Sequence, residues 1–479
     1  MSDPSPVPDS APLHADDPTR MHTYGAATAA LAEEVIAYTL ERFAMNPPPL
    51  DAPRTRADLE GEAGPTITVS GLGGPEALRL WVDVLAPACI SQDHPRALSF
   101  VPSAPTEASA LFDLILGASS IYGGSWLEGA GAVYAENQAL RWIADLAGLS
   151  AGAGGCFVSG GSAGNLSALV TARHAAASSR TAAGLARPTR WAIVASAEAH
   201  SSIASTARVM DIEVIDVAVD ERGRLTGDAL RATVDALSLD RVDGLFAVVA
   251  TAGTTNAGIV DDLEGVAAMA DERSLWFHVD GAYGGAALAA SSARSLFAGI
   301  ERADSLVIDP HKWLFTPFDC AALLYRRPEL AKAAHTQEAA YLDVLRDGAG
   351  PDEWNPSDYA YHLSRRARGL PLWFSLATHG TDAYCQAVEA SLQVTRAGAE
   401  LIEGLDHVEL VMEPMLSVLL FRRLGWEAPD YKRWSDAALA SGLTLTVPTS
   451  WEGETVLRFC IVNPRTTVDD LAEILTTLA

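Results

Sequence analysis

The chain has 479 residues, more than one small core needs, so two or three packed units are expected. About half of them (49%) are hydrophobic, and 34 basic against 61 acidic side chains leave a formal charge of −27. A surface of that sign repels phosphate backbones and anionic lipid, which sets nucleic acid and membrane surfaces aside as partners, and any anionic cofactor has to be held by local dipoles.

Residues 1–22, rich in Pro, Asp and Ser, carry too little apolar surface to offset chain entropy. They read as a disordered tail, neither a signal peptide nor an anchor. An N-terminal helical segment over 23–110 follows, in which Tyr24 to Ala44 reads as a helix with Leu31, Val35 and Tyr38 on one face, stopped by Asn46-Pro-Pro-Pro. From about Gly155, short apolar runs alternate with helical stretches. The runs are Trp191–Ala195, Val214–Val219, Leu245–Thr251, Trp276–Asp280, Ser305–Ile308 and Ala321–Tyr325, and Ala163–Ala177 and Leu263–Asp271 lie between them. Such alternation implies an α/β fold, here a large domain over 111–370 with a mostly parallel sheet covered on both faces. Beyond it, Val408–Val411, Leu416–Arg422 and Val456–Val462 read as strands and Val468–Leu478 as a closing helix, a smaller α/β domain over 371–479. No run of about 18 apolar residues occurs, so no spanning helix is expected. The five cysteines, Cys89, Cys156, Cys320, Cys385 and Cys460, form no C-x-x-C pair. That argues against a disulfide framework or a metal site and fits a reducing, cytoplasmic setting.

Ligands of parallel sheets bind at the carboxyl ends of the strands, and five motifs sit there. Ser159-Gly-Gly-Ser-Ala-Gly-Asn165 follows an apolar run and opens a helix. Gly160 and Gly161 allow close backbone approach, the helix N-terminus suits a phosphate, and the Ser162 hydroxyl can add a hydrogen bond. The same residues also fit a plain turn, or the G-x-S-x-G elbow of a serine hydrolase with Ser162 as nucleophile and His379 or His407 downstream. Next, Ser196 to Ser202 presents His200, which can stack on a flat cofactor and carry a proton, or serve the loop alone. Thr251 to Gly258 presents Thr255, a hydroxyl for a ring oxygen or a substrate carboxylate, or part of a polar turn. His278-Val-Asp280-Gly-Ala-Tyr283 ends a strand. Asp280 either caps that turn or keeps a pyridine nitrogen protonated, which makes the ring a better electron sink. Finally, Asp309-Pro-His-Lys312-Trp313 puts a lysine inside the sheet pattern. An amine removed from water attacks carbonyls more readily, the alternative being a lysine whose stem covers an aromatic ring. Together the motifs supply what a flat, phosphorylated pyridine cofactor requires, whereas the hydrolase reading explains only the first.

These motifs, with His94-Pro-Arg96, Phe100-Val-Pro-Ser103 and Asn463-Pro-Arg-Thr-Thr467, resemble the group II pyridoxal-phosphate decarboxylases, among them aromatic-L-amino-acid and glutamate decarboxylases. The resemblance runs from about residue 75 to the end. It implies a fold-type I homodimer with its active site at the subunit interface, pyridoxal 5′-phosphate as cofactor, and loss of an L-amino acid's α-carboxylate as CO2. It further implies that Lys312 bonds the cofactor aldehyde, Asp280 holds the pyridinium and His200 stacks on the ring. Gly161 and Ser162 would hold the phosphate with help from His311, and Thr255 and Ala282 would pack around the ring. Tyr341 matches a loop tyrosine that returns a proton to the substrate carbon. Relatives with phenylalanine there tend toward oxidative aldehyde formation, so Tyr341 points to plain decarboxylation. Phe100, Pro102 and Ser103 resemble an aromatic pocket and, with His200, are the expected contacts of tyrosine, DOPA, tryptophan or phenylalanine. An acidic or diamino acid is the alternative, with Arg96 the candidate partner of an acidic side chain. Val158, the segment 129–136 and Ala97-Leu98 depart from the family pattern near the substrate, which leaves substrate choice open and the cofactor untouched.

Overall fold

The computed structural model describes residues 19–339 and 353–479. Seven strands form the main sheet: β1 (Gly154–Val158), β2 (Ala192–Ser196), β3 (Glu213–Val217), β4 (Leu245–Thr251), β5 (Trp276–Asp280), β6 (Ser305–Ile308) and β7 (Ala321–Tyr325). Their order is β1-β7-β6-β5-β4-β2-β3, and only β7 runs antiparallel to its neighbours. Alternate residues feed two separate cores. Val248, Ala250, Phe277 and Val279 face one, and Ala247, Val249 and Trp276 face the other. Apolar residues on both sides of the pleat explain why most of these strands read as largely apolar runs, and why helices cover both faces.

The helices before the sheet are α1 (Ala26–Ala44), α2 (Arg56–Ala63), α3 (Gly74–Leu80), α4 (Glu107–Ser119) and α5 (Trp126–Leu146). Between and after the strands come α6 (Gly161–Ala182), α7 (Ser201–Met210), α8 (Gly227–Asp235), α9 (Leu239–Gly244), α10 (Leu263–Arg273) and α11 (Pro328–His335). Ala168 and Leu169 of α6 and Ile203 of α7 cover one face; Leu140 and Ile143 of α5 and Val266 of α10 cover the other. Each such buried Leu, Ile or Val side chain contributes about 1.5–3 kcal/mol relative to exposure. Local sequence sets the helix starts: Thr106, Ser125, Thr226 and Thr467 each accept the backbone N–H three residues on.

The chain closes with α12 (Leu370–His379), α13 (Thr381–Glu403), β8 (Val408–Leu410), β9 (Val418–Arg423), α14 (Ala428–Ala440), β10 (Thr449–Trp451), β11 (Glu454–Cys460) and α15 (Val468–Thr476). Its four strands form an antiparallel sheet in the order β10-β11-β9-β8. Leu419, Phe421, Leu457 and Phe459 pack on α13 and α15, while Leu420 and Val456 face Ala257 and Ile259 in the turn after β4. The small sheet therefore props a loop of the large one. Arg458 of β11 donates to the Thr255 carbonyl at 2.8 Å. All five cysteines are free thiols. Among the described residues no helix is long and apolar enough to cross a membrane, and no group of three or more His, Cys, Asp or Glu is placed to hold a metal ion.

Candidate active site

A cavity of about 430 Å³ opens at the carboxyl ends of β1, β4, β5 and β6. Gly161, Ser162, His200, Thr255, Asp280, Ala282, His311 and Lys312 all line it, although they come from five separate segments of the chain. Parallel strands end together, so the residues that follow each strand meet at one edge of the sheet.

One end of the cavity is a closed hydrogen-bond network around Asp280, which is 4% exposed. Its Oδ1 accepts the Ala282 N–H at 3.1 Å, and its Oδ2 accepts Asn165 Nδ2 at 2.8 Å. Asn165 Nδ2 also donates to Ser202 Oγ at 2.9 Å, so the Asn165 Oδ1 is left to accept from His278 Nε2 at 2.9 Å. Ser305 Oγ accepts from Trp276 Nε1 at 2.8 Å and therefore turns its own proton to His278 Nδ1, also at 2.8 Å. This assigns His278 the neutral, Nε2-protonated form. Burial favours the same form, pushing the imidazole down to about 4. Ser202 similarly sends its proton to His200 Nδ1 at 2.9 Å, which fixes the ring that caps α7. One asparagine thus ties the carboxylate of β5 to the histidine that follows β2.

The other end is built on the start of α6. Gly160 has φ 154°, and a Cβ at Gly161 would lie 2.9 Å from Ala282 Cβ and 3.1 Å from Asp309 Oδ2, so only a glycine lets the start of α6 approach the cavity this closely. Lys312 Nζ lies 3.1 Å from Asp309 Oδ2. His311 Nδ1 is 2.7 Å from the Cys320 carbonyl, and its ring packs on Phe318 with centroids 4.8 Å apart. Burial pushes His311 down as well, keeping it uncharged.

Several expectations land elsewhere. Phe100 is 47% exposed, and Ser103 is buried with its hydroxyl on the Val462 carbonyl at 2.7 Å. Neither they nor Pro102 reach the cavity within one chain. Arg96 is no acid-binding group of this cavity, because it is paired with Asp470 and Glu473 of α15. The hydrolase alternative fails on geometry. His379 lines a different cavity, and His407 Nε2 faces the Leu475 carbonyl, so neither serves Ser162. The poorly matching segment 129–136 lies in α5, where Glu136 is buried against Arg365 at 3.1 Å. Tyr341 lies outside the described residues. Sequence reasoning gave no role to Asn165 or Asp309. The available signal was polarity without exposure, a side chain of α6 and one beyond β6 that both point into packed structure.

The residues present fit pyridoxal 5′-phosphate. An amine at Lys312, a saturated carboxylate at Asp280, and the start of α6 at Gly161 line one cavity of suitable size. The pyridoxal-dependent decarboxylase conserved domain matches residues 79–424. The chain is 29% identical over 395 residues to an aromatic-L-amino-acid decarboxylase of Bacillus atrophaeus, with 80% of each chain covered. It is 32% identical over 395 residues to an L-2,4-diaminobutyrate decarboxylase of Rhizobium meliloti (strain 1021), covering 80% of this chain and 77% of that one. The solved structure of mouse CSAD superposes with a TM-score of 0.83 at 25% identity, covering 94% of this chain and 98% of that one.

Proposed function

The chain belongs to the pyridoxal-dependent decarboxylase family and is a pyridoxal-phosphate-dependent amino-acid carboxy-lyase; from that premise we propose that its substrate is an aromatic L-amino acid, released as the amine and CO2. The observation that carries the substrate class is the cavity wall. Phe318, 58% exposed, stands beside His311, and among the described lining residues there is no arginine to receive an acidic side chain. The cofactor, when bound, supplies a sink for the electron pair left on Cα as the carboxylate departs.

The residues take the following roles. Lys312 Nζ anchors the cofactor through its aldehyde carbon. Asp280 keeps the ring nitrogen protonated, and the Asn165 amide keeps Asp280 from rotating. His200, Thr255 and Ala282 hold the ring flat, while Gly161 N–H, Ser162 and His311 hold the phosphate. The Tyr341 hydroxyl delivers a proton to Cα. A second copy of the chain covers Leu111, Leu114 and Ile115 of α4 and Leu127 of α5, all exposed in one copy, and brings Phe100 to the cavity mouth of its neighbour.

A substrate panel read by amine product tests the reading. Tyrosine, DOPA, tryptophan or phenylalanine should be turned over, and Lys312→Arg should abolish both amine formation and the yellow absorbance. Absence of turnover for every aromatic substrate would sink it. Turnover of 2,4-diaminobutyrate alone would favour the second reading, a diamino acid, which the Rhizobium meliloti relative supports. Tyr341→Phe should shift product from amine to aldehyde, with dioxygen consumed as the oxidant and the nitrogen released as ammonia.

A further inference from the structure

A buried carboxylate stands where the anionic end of the cofactor is expected. Asp309, one residue beyond β6, is 2% exposed. Its Oδ2 accepts the Gly161 N–H at 3.1 Å and pairs with Lys312 Nζ at 3.1 Å, with His311 Nε2 at 3.7 Å. Its Oδ1 is buried and has no hydrogen-bond partner. The α6 amide that a phosphate would use and the amine that an aldehyde would use are thus both engaged by this one side chain.

Resting on the pyridoxal-phosphate reading of the site, we propose that Asp309 is an internal stand-in for the cofactor phosphate: it satisfies the α6 N-terminus and Lys312 in the cofactor-free protein, and it weakens cofactor capture. Two effects act with the same sign. A carboxylate and a phosphate in one partly dry cradle repel each other. A lysine whose Nζ is engaged by a carboxylate has to leave that partner before it can reach an aldehyde. The arrangement stabilises the unloaded chain at the expense of affinity. The orphaned Oδ1 fits this role, because the side chain has a second oxygen not committed to the protein and can turn when the Gly161 amide changes partner.

The test uses cofactor-free wild type, Asp309→Asn and Asp309→Ala, each titrated with pyridoxal 5′-phosphate, with pyridoxal and with inorganic phosphate. Asparagine keeps the shape of the side chain and an oxygen for the Gly161 amide, so folding is preserved; circular dichroism checks it. Removing the charge should tighten pyridoxal 5′-phosphate binding roughly tenfold or more in both variants. Pyridoxal, which lacks the phosphate, should gain less. Inorganic phosphate should raise the melting temperature of the variants at lower concentration than that of wild type. Without any ligand, the variants should melt below wild type. Unchanged or weaker pyridoxal 5′-phosphate binding in both variants, or an equal gain for pyridoxal, overturns the proposal. Failure of wild type itself to bind pyridoxal 5′-phosphate would instead sink the cofactor reading, so the two failures are distinguishable.

Discussion

Asp280 and Asp309 leave neighbouring strands of one sheet, are 4% and 2% exposed, and line the same cavity, yet their surroundings differ in kind. Both oxygens of Asp280 are held by fixed donors, the Ala282 N–H and the Asn165 amide, and the asparagine is itself held by His278. Asp309 spends one oxygen on a backbone amide and a lysine and leaves the other without a partner. Buried networks that are fully satisfied rigidify a site, whereas a partly satisfied group can change partners. The ring end of the cavity is therefore preorganised before anything binds. The phosphate end is arranged to exchange one anion for another.

The largest expected effect falls on the preorganised end. Asp280→Ala should lower the rate of amine formation by about a hundredfold or more, because a charge aimed at the reacting system is lost. Cofactor should still be retained through Lys312 and the α6 amides. Loss of the yellow absorbance in that variant would mean that the two ends are not separable. Asn165→Ala comes next. It leaves an oxygen of Asp280 and a nitrogen of His278 unpaired, at about 1–3 kcal/mol for each buried group. We expect kcat to fall by roughly tenfold or more with KM little changed, and the pH profile to shift, which a merely structural role would not produce. Gly161→Ala probes the exchangeable end, where the new methyl would lie 2.9 Å from Ala282 Cβ and 3.1 Å from Asp309 Oδ2. Cofactor affinity should drop by a few-fold to about tenfold while kcat of the loaded enzyme is kept, since packing strain at the lower end of its usual range, about 1 kcal/mol, corresponds to roughly fivefold. Equilibrium dialysis against pyridoxal 5′-phosphate measures it.

The same contrast shows what the sequence made legible. The runs at 245–251, 276–280, 305–308 and 321–325 coincide with strands because both faces of the pleat are buried and apolar residues dominate them, with His278 the one polar residue in a run's interior. Helix α13 was not read. Its buried positions recur at helical spacing, but Ser391, Thr395, Gly398 and Ala399 stand among them, so the apolar stripe is diluted. Strand ends show which residues converge, which is why the cavity residues could be gathered from five motifs. What touches what at that edge depends on distances that no local pattern encodes. Arg96 was placed with the substrate because its partners, Asp470 and Glu473, lie at the far end of the chain. Asn165 and Asp309 are polar side chains whose meaning comes only from their neighbours.

The smallest effect tests whether the ring end keeps its stiffness across pH. Burial pushes His278 down to about 4 from an ordinary value near 6.5. The unfolded chain therefore takes up a proton that the folded chain refuses. The stability tied to His278 is fully present above about 6.5 and is lost as pH falls through about 4. Asp261 works against it. Burial raises that carboxyl from 3.8 to about 7, so its contribution is present below 3.8 and is lost as pH rises toward 7. Within this shared window the two slopes partly cancel in the wild type. His278→Gln keeps a donor near Asn165 but removes the titration. The variant should be less stable than wild type at pH 7, and the gap should narrow by on the order of 1–2 kcal/mol at pH 5. Urea unfolding at the two pH values measures both gaps. An equal gap would show that the imidazole accepts its second proton without disturbing the folded network, and the ring end would then be no stiffer than the phosphate end.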